Sequence, residues 1–254
     1  MSTPGSDVAE AASVGLFCSL VSPAIVEMIG WAGFDFVILD AEHSLVGPEE
    51  LAHQLRAADA VGLRALVRIP SATSSLAGPV LDAGAAGVVI PRVRSASDVE
   101  AAVRAARYHP WGRRGLDAGR ATRNGQAELR QAVRQAARDV AVVAMIEDRE
   151  GVDAIADIVG VPGLDAVLEG AADLSQSMGT PWETTSPVVQ SALEQVETAC
   201  RAANVPFWAV PRQPPDAHRW RERGVRTFVT GDARNLAARA LEEHCERARE
   251  RIRA

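Results

Sequence analysis

The chain contains no lysine, and all 27 of its basic residues are arginine. An arginine guanidinium stays protonated in proteins, so it cannot supply the free amine that Schiff-base catalysis needs. This absence excludes a Schiff-base aldolase, a pyridoxal-phosphate enzyme and a phosphate-binding P-loop. If the protein stabilises a carbanion, some other group must accept the electrons.

Aromatic residues and positive charge are also scarce. Phenylalanine, tryptophan and tyrosine make up 4% of the 254 residues, and the formal net charge is −6. Proteins that bind nucleic acid usually offer basic faces and aromatic side chains on which bases stack, so we expect no nucleic-acid partner. The three cysteines are far apart and form no CxxC motif, which indicates neither a disulfide framework nor a zinc site.

Long hydrophobic runs are missing as well. No stretch approaches the ~20 apolar residues of a membrane span. The N-terminal sequence MSTPGSDVAEAASVG lacks the basic and apolar regions of a secretory signal. We therefore expect a cytoplasmic enzyme with no membrane partner.

Short apolar runs rich in valine, isoleucine and leucine alternate with amphipathic segments rich in alanine and arginine. The runs span residues 15–20, 35–40, 63–69, 87–91, 140–147, 164–169, 205–210 and 226–230. Continuous apolar runs of this length are typical of parallel strands covered on both faces. Eight strand–helix repeats in a chain of this length predict a TIM (β/α)8 barrel. A doubly wound sheet is the alternative, but no GxGxxG motif follows the first run.

The domain organisation follows from the lack of any low-complexity linker. We expect one domain over residues 1–254, with residues 1–13 as a disordered or loosely packed N-terminal tail. The last helix-like segment, residues 233–251, is long and charged, and its apolar stripe is narrow. A stripe this narrow indicates that the C-terminal helix packs on a neighbouring subunit.

Polar side chains stand where the predicted strands end. In a TIM barrel the catalytic residues come from the carboxyl ends of the strands, so these positions are candidates. They are Asp40, Glu42, His43, Arg68, Arg92, Glu147, Asp148, Glu169, Asp173 and Asp232. For Asp232 we expect helix capping, because it opens the last helix-like segment, and for Asp148 we expect either a helix cap or a supporting role behind the site residues.

Two of these carboxylates are candidate metal ligands. Glu147 and Asp173 follow adjacent strands and could hold one hard divalent cation while leaving positions for water and substrate. An all-oxygen set with so few protein ligands favours Mg²⁺, with Mn²⁺ as the alternative, over structural zinc. Arg68 would then face the oxygen of a ketone or enolate, and His43 would move a proton or orient the water that does.

The segment GAAD adds a candidate substrate site. Its small residues, Gly170, Ala171 and Ala172, stand at a predicted helix start. Backbone N–H groups at such a start can receive an anionic group, so we expect them to bind a substrate carboxylate.

The chain resembles, over nearly its whole length, the HpcH/HpaI family of metal-dependent aldolases, and five stretches carry the resemblance. They read GFDFVILDAEHS, LVRIP, LDAGAAGVVIPRVRSASDVEAAVRAARYHPWGRRG, MIEDREGVDAI and LDAVLEGAADLSQSMG. Members of this family are TIM barrels that make or break a carbon–carbon bond beside a 2-oxo acid. The resemblance also implies a homo-hexamer, a trimer of dimers, in which the last helix is exchanged between subunits.

Carried over by position, the resemblance implies a role for each strand-end residue. Glu147 and Asp173 would bind the divalent metal, and Arg68 would bind the keto oxygen. His43 with Asp40 would form the acid–base dyad. The three residues of GAA would receive the carboxylate of the 2-oxo acid.

Three positions depart from the usual aldolase pattern. Met145 stands where the family usually has glutamine, Ala171 where it has proline, and Glu169 where it has an apolar residue. The motifs MIED and LEGAADLSQSMGTPW are more similar to another branch of the family, the siderophore-pathway citrate synthases of the staphyloferrin B type. Enzymes of that branch join acetyl-CoA to oxaloacetate. We therefore expect Met145 and Glu169 to mark the branch.

Three functions stay open at this point. The first is a citrate-synthase-like condensation of acetyl-CoA with oxaloacetate, for siderophore or other secondary metabolism. The second is a class II aldolase, a reversible lyase that adds the enolate of pyruvate or a related 2-oxo acid to an aldehyde. The third is a non-catalytic barrel used for binding.

Oxaloacetate, unlike pyruvate, needs a cation for its second carboxylate. Arg92, at the end of the fourth run, is our candidate, and Arg120 and Arg123 are weaker ones. The alternative is that Arg92 pairs with Glu169 or Asp148, because buried carboxylates need partners.

Overall fold

Eight parallel strands close into a barrel, each paired with its neighbours in chain order and the last paired with the first. The computed structural model describes residues 12–253. The strands are β1 (Ser13–Cys18), β2 (Phe36–Asp40), β3 (Arg64–Arg68), β4 (Gly87–Ile90), β5 (Ala141–Ile146), β6 (Ala166–Glu169), β7 (Phe207–Ala209) and β8 (Thr227–Asp232). The closed parallel barrel confirms the predicted TIM fold and excludes the doubly wound alternative.

Helices surround the barrel and connect successive strands. They are α1 (Pro23–Trp31), α2 (Pro48–Ala60), α3 (Ala77–Asp82), α4 (Ala96–Ala106), α5 (Leu129–Asp139), α6 (Arg149–Asp153), α7 (Ile155–Val159), α8 (Ala171–Ser177), α9 (Pro187–Ala202), α10 (Pro214–Glu222) and α11 (Ala233–Arg253). A short 3-10 turn, Arg120–Thr122, precedes α5. Within residues 12–253, none of these helices is long and apolar enough to cross a membrane.

The core has two layers, as the uninterrupted apolar runs require. Side chains on one face of each strand fill the barrel, and those on the other face pack under the helices. The barrel interior is formed by Phe36, Ile38, Leu66, Val89, Ala141, Val143, Met145, Ala166, Leu168, Trp208 and Val229. Because these side chains pack the interior, a ligand on the barrel axis would bind at one of its ends.

Two helix starts near the strand ends are fixed by the predicted capping carboxylates. Asp148 accepts a hydrogen bond from the backbone N–H of Gly151 at 2.9 Å, which caps α6. Asp232 accepts one from the N–H of Arg234 at 2.7 Å, at the start of α11. Both predictions of a capping role are confirmed, and such a cap typically stabilises by ~1 kcal/mol.

Two predictions concern the chain termini: a loose N-terminal tail and a C-terminal helix that packs on another subunit. The expected loose tail, residues 1–13, lies outside the described residues except for its last two, and Ser13 already begins β1. At the other end, α11 buries only Ala233 among its residues. The apolar side chains of Leu241 and Ile252 are 71% and 84% exposed. Exchange of α11 between subunits stays a prediction.

Candidate active site

A cleft of 790 Å³ opens at the carboxyl ends of the strands, where a TIM barrel carries its chemistry. Its lining includes five of the residues singled out from the sequence as carrying function: His43, Arg68, Gly170, Ala172 and Asp173. Met145 and Glu169, expected to mark the branch, line it as well. Most of the candidates therefore meet at this cleft, but Asp40, Glu42, Glu147 and Ala171 are not among the residues that line it.

A larger cavity of 1210 Å³ lies elsewhere, between α5 and the segment around the 3-10 turn. Arg120 and Arg123, the weaker candidates for substrate binding, line this second cavity rather than the cleft. Arg120 is also bound to Asp59 at 2.6 Å. None of the strand-end candidates reaches this cavity, so we assign the chemistry to the smaller cleft at the strand ends.

Arg68 is held at the end of β3 by a two-pronged ion pair. Its Nε donates to Asp40 Oδ1 at 2.9 Å and its Nη2 to Asp40 Oδ2 at 2.8 Å. Asp40 is 4% exposed and Arg68 is 8% exposed. Burial alone would raise the pKa of Asp40, but the hydrogen bonds and charge of Arg68 outweigh it and lower that pKa below its ordinary value. Asp40 therefore stays ionised and fixes the guanidinium in one orientation.

The expected dyad of His43 and Asp40 is not formed by their side chains. From His43, Asp40 Oδ1 accepts the backbone N–H alone, at 3.3 Å. The same oxygen accepts the backbone N–H of Glu42 at 3.0 Å, and Arg68 engages both carboxylate oxygens. The His43 ring lies instead 3.6 Å from Glu42 Oε2 and is 47% exposed. Asp40 pairs with Arg68 rather than with the His43 ring because a bidentate guanidinium satisfies a buried carboxylate better than an imidazole at the surface does.

Glu42, a strand-end candidate to which the sequence assigned no specific role, links the polar groups around the cleft. Its side chain is 8% exposed and lies 3.4 Å from Arg68 Nη1 and 3.2 Å from Arg92 Nε. Its charge also raises the pKa of Glu147. The position of Glu42 just beyond β2 was the signal that could have predicted this role.

Glu147, just beyond β5, is 2% exposed and has one oxygen without a partner. Oε1 accepts the backbone N–H of Arg92 at 2.6 Å, while Oε2 is buried and has no hydrogen-bond partner among residues 12–253. Burial raises the pKa of Glu147 to about 7, and the charges of Glu42 and Asp173 act in the same direction. A buried carboxylate oxygen left free in this way calls for a cation or proton.

Gly170 provides the space that Glu147 occupies. A Cβ at position 170 would lie 2.4 Å from Glu147 Cβ, 2.8 Å from Glu147 Oε2 and 3.0 Å from Met145 Cε. Any larger residue would displace the free carboxylate oxygen. The glycine is therefore required by close approach rather than by backbone conformation.

The donor set fits a hard divalent cation with few protein ligands. Asp173, in the first turn of α8, lines the cleft and is near enough to Glu147 for its charge to raise the pKa of Glu147. Within the described chain, no group of three or more His, Cys, Asp or Glu side chains forms a closed metal site. Two carboxylates with open positions suit a cation that also binds water and substrate oxygens.

The GAA segment has fewer free backbone N–H groups for a substrate carboxylate than expected. The N–H of Gly170 donates to Ile146 O at 2.9 Å, so this amide is engaged in strand pairing and does not receive a carboxylate. The amides of Ala171 and Ala172 open α8, where the first N–H groups of a helix have no intrahelical partner. Only these two remain candidates for carboxylate binding.

Arg92 does not line the cleft. Its backbone has a left-handed φ of 52°, so its N–H, not its guanidinium, binds Glu147. Its side chain is 59% exposed and pairs with Glu42, not with Glu169 or Asp148. Neither expectation for the Arg92 side chain is therefore met: Asp148 pairs with Arg94, and Glu169 lies beside Arg212.

Glu169, at the end of β6, lines the cleft but is almost fully buried, and Met145 lies on the neighbouring strand. Glu169 Oε1 accepts the N–H of Val210 at 2.6 Å, and Oε2 lies 3.7 Å from Arg212 Nη1 without a hydrogen bond. Burial raises the pKa of Glu169 to about 7, although Arg212 and Val210 oppose the shift. Met145 Sδ accepts a weak hydrogen bond from Arg68 Nη1 at 3.8 Å.

The cleft includes residues that the sequence analysis did not propose. Arg212 and Trp182 lie in loops, and Asn235 and Arg239 lie on α11. The position of Arg212 shortly after β7 was a usable signal, because six of the other strand ends carry a charged candidate. Trp182 and the α11 residues carried no such signal.

Comparison with known proteins gives a consistent family. The model of the HpcH/HpaI aldolase/citrate lyase family matches residues 13–240. The 2-keto-3-deoxy-L-rhamnonate aldolase of Klebsiella pneumoniae is 32% identical over 90% of this chain and 86% of its own length. The 4-hydroxy-2-oxo-heptane-1,7-dioate aldolase of Salmonella paratyphi C is 31% identical over 90% and 87%.

A solved structure is more similar still. The crystal structure of the citrate synthase SbnG superposes with a TM-score of 0.90, is 37% identical, and covers 96% of each chain. Both kinds of relative are enzymes, so the third possibility, a non-catalytic barrel, is set aside. The chain is an enzyme of the HpcH/HpaI aldolase/citrate lyase family.

Proposed function

We propose that this enzyme forms a carbon–carbon bond at a 2-oxo acid chelated to a divalent cation, and that it condenses acetyl-CoA with oxaloacetate. One observation carries the proposal. Arg68 lines the cleft with its guanidinium fixed by Asp40, and the free, buried Oε2 of Glu147 lies against Gly170, which lines the same cleft, as a bound cation beside a ketone oxygen would require. The similarity to a citrate synthase over 96% of the chain supports the choice of reaction.

Glu147 and Asp173 would hold the cation, with Mg²⁺ favoured and Mn²⁺ the alternative. When bound, such a cation withdraws electron density from the oxygens of a 2-oxo acid. Ala171 and Ala172 would present their N–H groups to the acid's carboxylate, at the start of α8. Asp40 supports the site indirectly, by holding Arg68.

Arg68 would donate a hydrogen bond to the ketone oxygen, where negative charge develops as the bond forms. Its two bonds to Asp40 fix the guanidinium before substrate arrives. Preorganised donors of this kind need not reorient during the reaction, which is why they stabilise charge effectively. Met145, which contacts Arg68 Nη1, leaves this donor less strongly engaged than an amide side chain would.

His43 is the candidate for proton transfer. Condensation requires the methyl group of acetyl-CoA to lose a proton and the ketone oxygen of oxaloacetate to gain one, and hydrolysis of the thioester then releases coenzyme A. The His43 ring lines the cleft, and Glu42, 3.6 Å away, is placed to orient it. Histidine is suited to this task because its ordinary pKa is near neutrality.

A class II aldolase is the second candidate. It is supported by the relatives named as aldolases, which are 31–32% identical. The same cation ligands and Arg68 would then stabilise the enolate of pyruvate or a related 2-oxo acid, which attacks an aldehyde. In the condensation the bound 2-oxo acid is attacked at its ketone carbon, whereas in the aldolase its enolate attacks the second substrate.

Paired assays separate the two candidates. With Mg²⁺ present, we expect coenzyme A release that depends on both acetyl-CoA and oxaloacetate. Pyruvate consumption that depends on an added aldehyde, without coenzyme A release, would support the aldolase instead. Glu147→Gln and Asp173→Asn should lower the observed activity by at least ~100-fold, because each removes a charged ligand. Glu100→Gln, at an exposed position on α4, is the matched control.

The assembly and the cellular role belong to the same proposal. We propose a hexamer, a trimer of dimers, in which the exposed apolar residues of α11 pack on a second subunit. Light scattering of the chain with and without α11 tests this assembly. The citrate would be made in the cytoplasm for a siderophore or another secondary product.

A further inference from the structure

We propose that Arg212 binds the second carboxylate of the 2-oxo acid and so selects a dicarboxylate such as oxaloacetate over pyruvate. The inference rests on the proposed function, because it assumes a 2-oxo acid bound beside Arg68. It replaces Arg92 in this role, since the Arg92 side chain does not line the cleft.

Arg212 is anchored at both its backbone and its side chain. Its N–H donates to Asp216 Oδ2 at 3.3 Å, within the capping box that starts α10. Its Nη1 donates to Val210 O at 3.0 Å. The side chain is 32% exposed and lines the cleft. An anchored arginine loses less conformational freedom when it binds a ligand.

The guanidinium of Arg212 nevertheless keeps free donors. Within residues 12–253, its Nε and Nη2 have no hydrogen-bond partner. Its nearest carboxylate oxygen, Glu169 Oε2, lies 3.7 Å away and forms no hydrogen bond with it. Glu169 instead uses its other oxygen to bind the N–H of Val210. A carboxylate can take two parallel N–H bonds from such a guanidinium.

The other arginines at the cleft are less suited to this role. Arg68 is already bound by Asp40 and lies near Glu42, and its remaining capacity is assigned to the ketone. Arg239 lines the cleft from the exposed helix α11, and no described residue forms an ion pair with its side chain. A long side chain without an anchor offers charge but little geometric selection. Arg212 alone combines an anchor with free donors.

Direct binding measurements test the assignment. Calorimetric titration of the Mg²⁺-loaded protein with oxaloacetate and with pyruvate, without acetyl-CoA, measures selection independently of the reaction. Arg212→Gln should weaken oxaloacetate binding roughly 10- to 100-fold, the loss of one charge-assisted contact, and change pyruvate binding less than about twofold. Arg212→Lys keeps the positive charge but cannot form two parallel hydrogen bonds, so its oxaloacetate affinity should lie between those of the parent protein and Arg212→Gln. Arg221→Gln, on the exposed face of α10, should change neither.

Three results would overturn the assignment. Arg212→Gln could weaken both ligands equally or neither, or Arg239→Gln could produce the selective loss instead. Each would refute the role of Arg212 and leave the proposed function standing. If the parent protein binds neither 2-oxo acid, the proposed function fails and this inference fails with it. Thermal unfolding of each variant establishes that it folds.

Discussion

Replacing Glu169 by glutamine should stabilise the protein at pH 8 but scarcely at pH 5. Glu169 is 2% exposed, and burial raises its pKa from 4.5 to about 7. Between these two values the folded protein binds a proton that the unfolded chain releases. The free energy of unfolding therefore falls as the pH rises through this window. Glutamine has the same shape and cannot ionise, so the variant avoids this loss.

The size of this stability change follows from the shift in the pKa of Glu169. A pKa difference of about 2.5 units corresponds to about 3 kcal/mol when the group is fully ionised in both states. At pH 5 most of this penalty is absent, so the parent–variant difference should grow by about 2 to 3 kcal/mol between pH 5 and pH 8. In a domain of this size that is a change of about 4 to 12 °C in Tm.

Thermal unfolding followed by circular dichroism across pH 5 to 8, with a chelator present, measures this difference. Glu100→Gln, at an exposed position on α4, controls for the amide substitution itself. A Glu169→Gln difference that stays constant with pH, or that reverses sign, would refute the reasoning. It would mean that Arg212, 3.7 Å away, compensates the buried charge fully.

Two further substitutions test the geometry of the cleft. Arg68→Ala should lower the free energy of unfolding by about 3 to 5 kcal/mol, because it leaves the buried Asp40 without its charged partner. Adding Asp40→Asn to this variant should recover part of the lost stability, as measured by chemical denaturation. Equal stability of the single and double variants would contradict the pairing. Gly170→Ala should cost about 1 to 3 kcal/mol and weaken Mg²⁺ binding by calorimetry, because the new Cβ meets Glu147 Oε2. Gly78→Ala, in α3 with open space around it, should be neutral or stabilising, and similar losses in both would argue against a specific contact.

The sequence predicted the barrel and the end at which its polar residues gather. Continuous apolar runs separated by amphipathic segments leave few other folds, and parallel strands bring Arg68, Glu147 and Asp173 to the same rim. The caps at Asp148 and Asp232 were also readable, because local backbone hydrogen bonds depend mainly on local sequence.

The pairing among those side chains could not be read from the sequence. Asp40 binds Arg68 rather than the His43 ring because the register of β2 and β3 places residues 40 and 68 side by side. Arg92 faces Glu42 because its left-handed backbone presents the N–H, not the side chain, to Glu147. Loop conformations of this kind depend on tertiary contacts rather than on the pattern of apolar residues.

Identification of the product tests the central claim most directly. Incubation of the Mg²⁺-loaded enzyme with oxaloacetate and acetyl-CoA labelled with ¹³C at both acetyl carbons, followed by mass spectrometry, should give citrate that carries both heavy carbons, with one coenzyme A released per citrate. Glu147→Gln should abolish this product. Absence of labelled citrate from the folded, Mg²⁺-loaded enzyme would contradict the condensation. Formation of an aldehyde adduct in a parallel incubation with labelled pyruvate and an aldehyde would favour the aldolase.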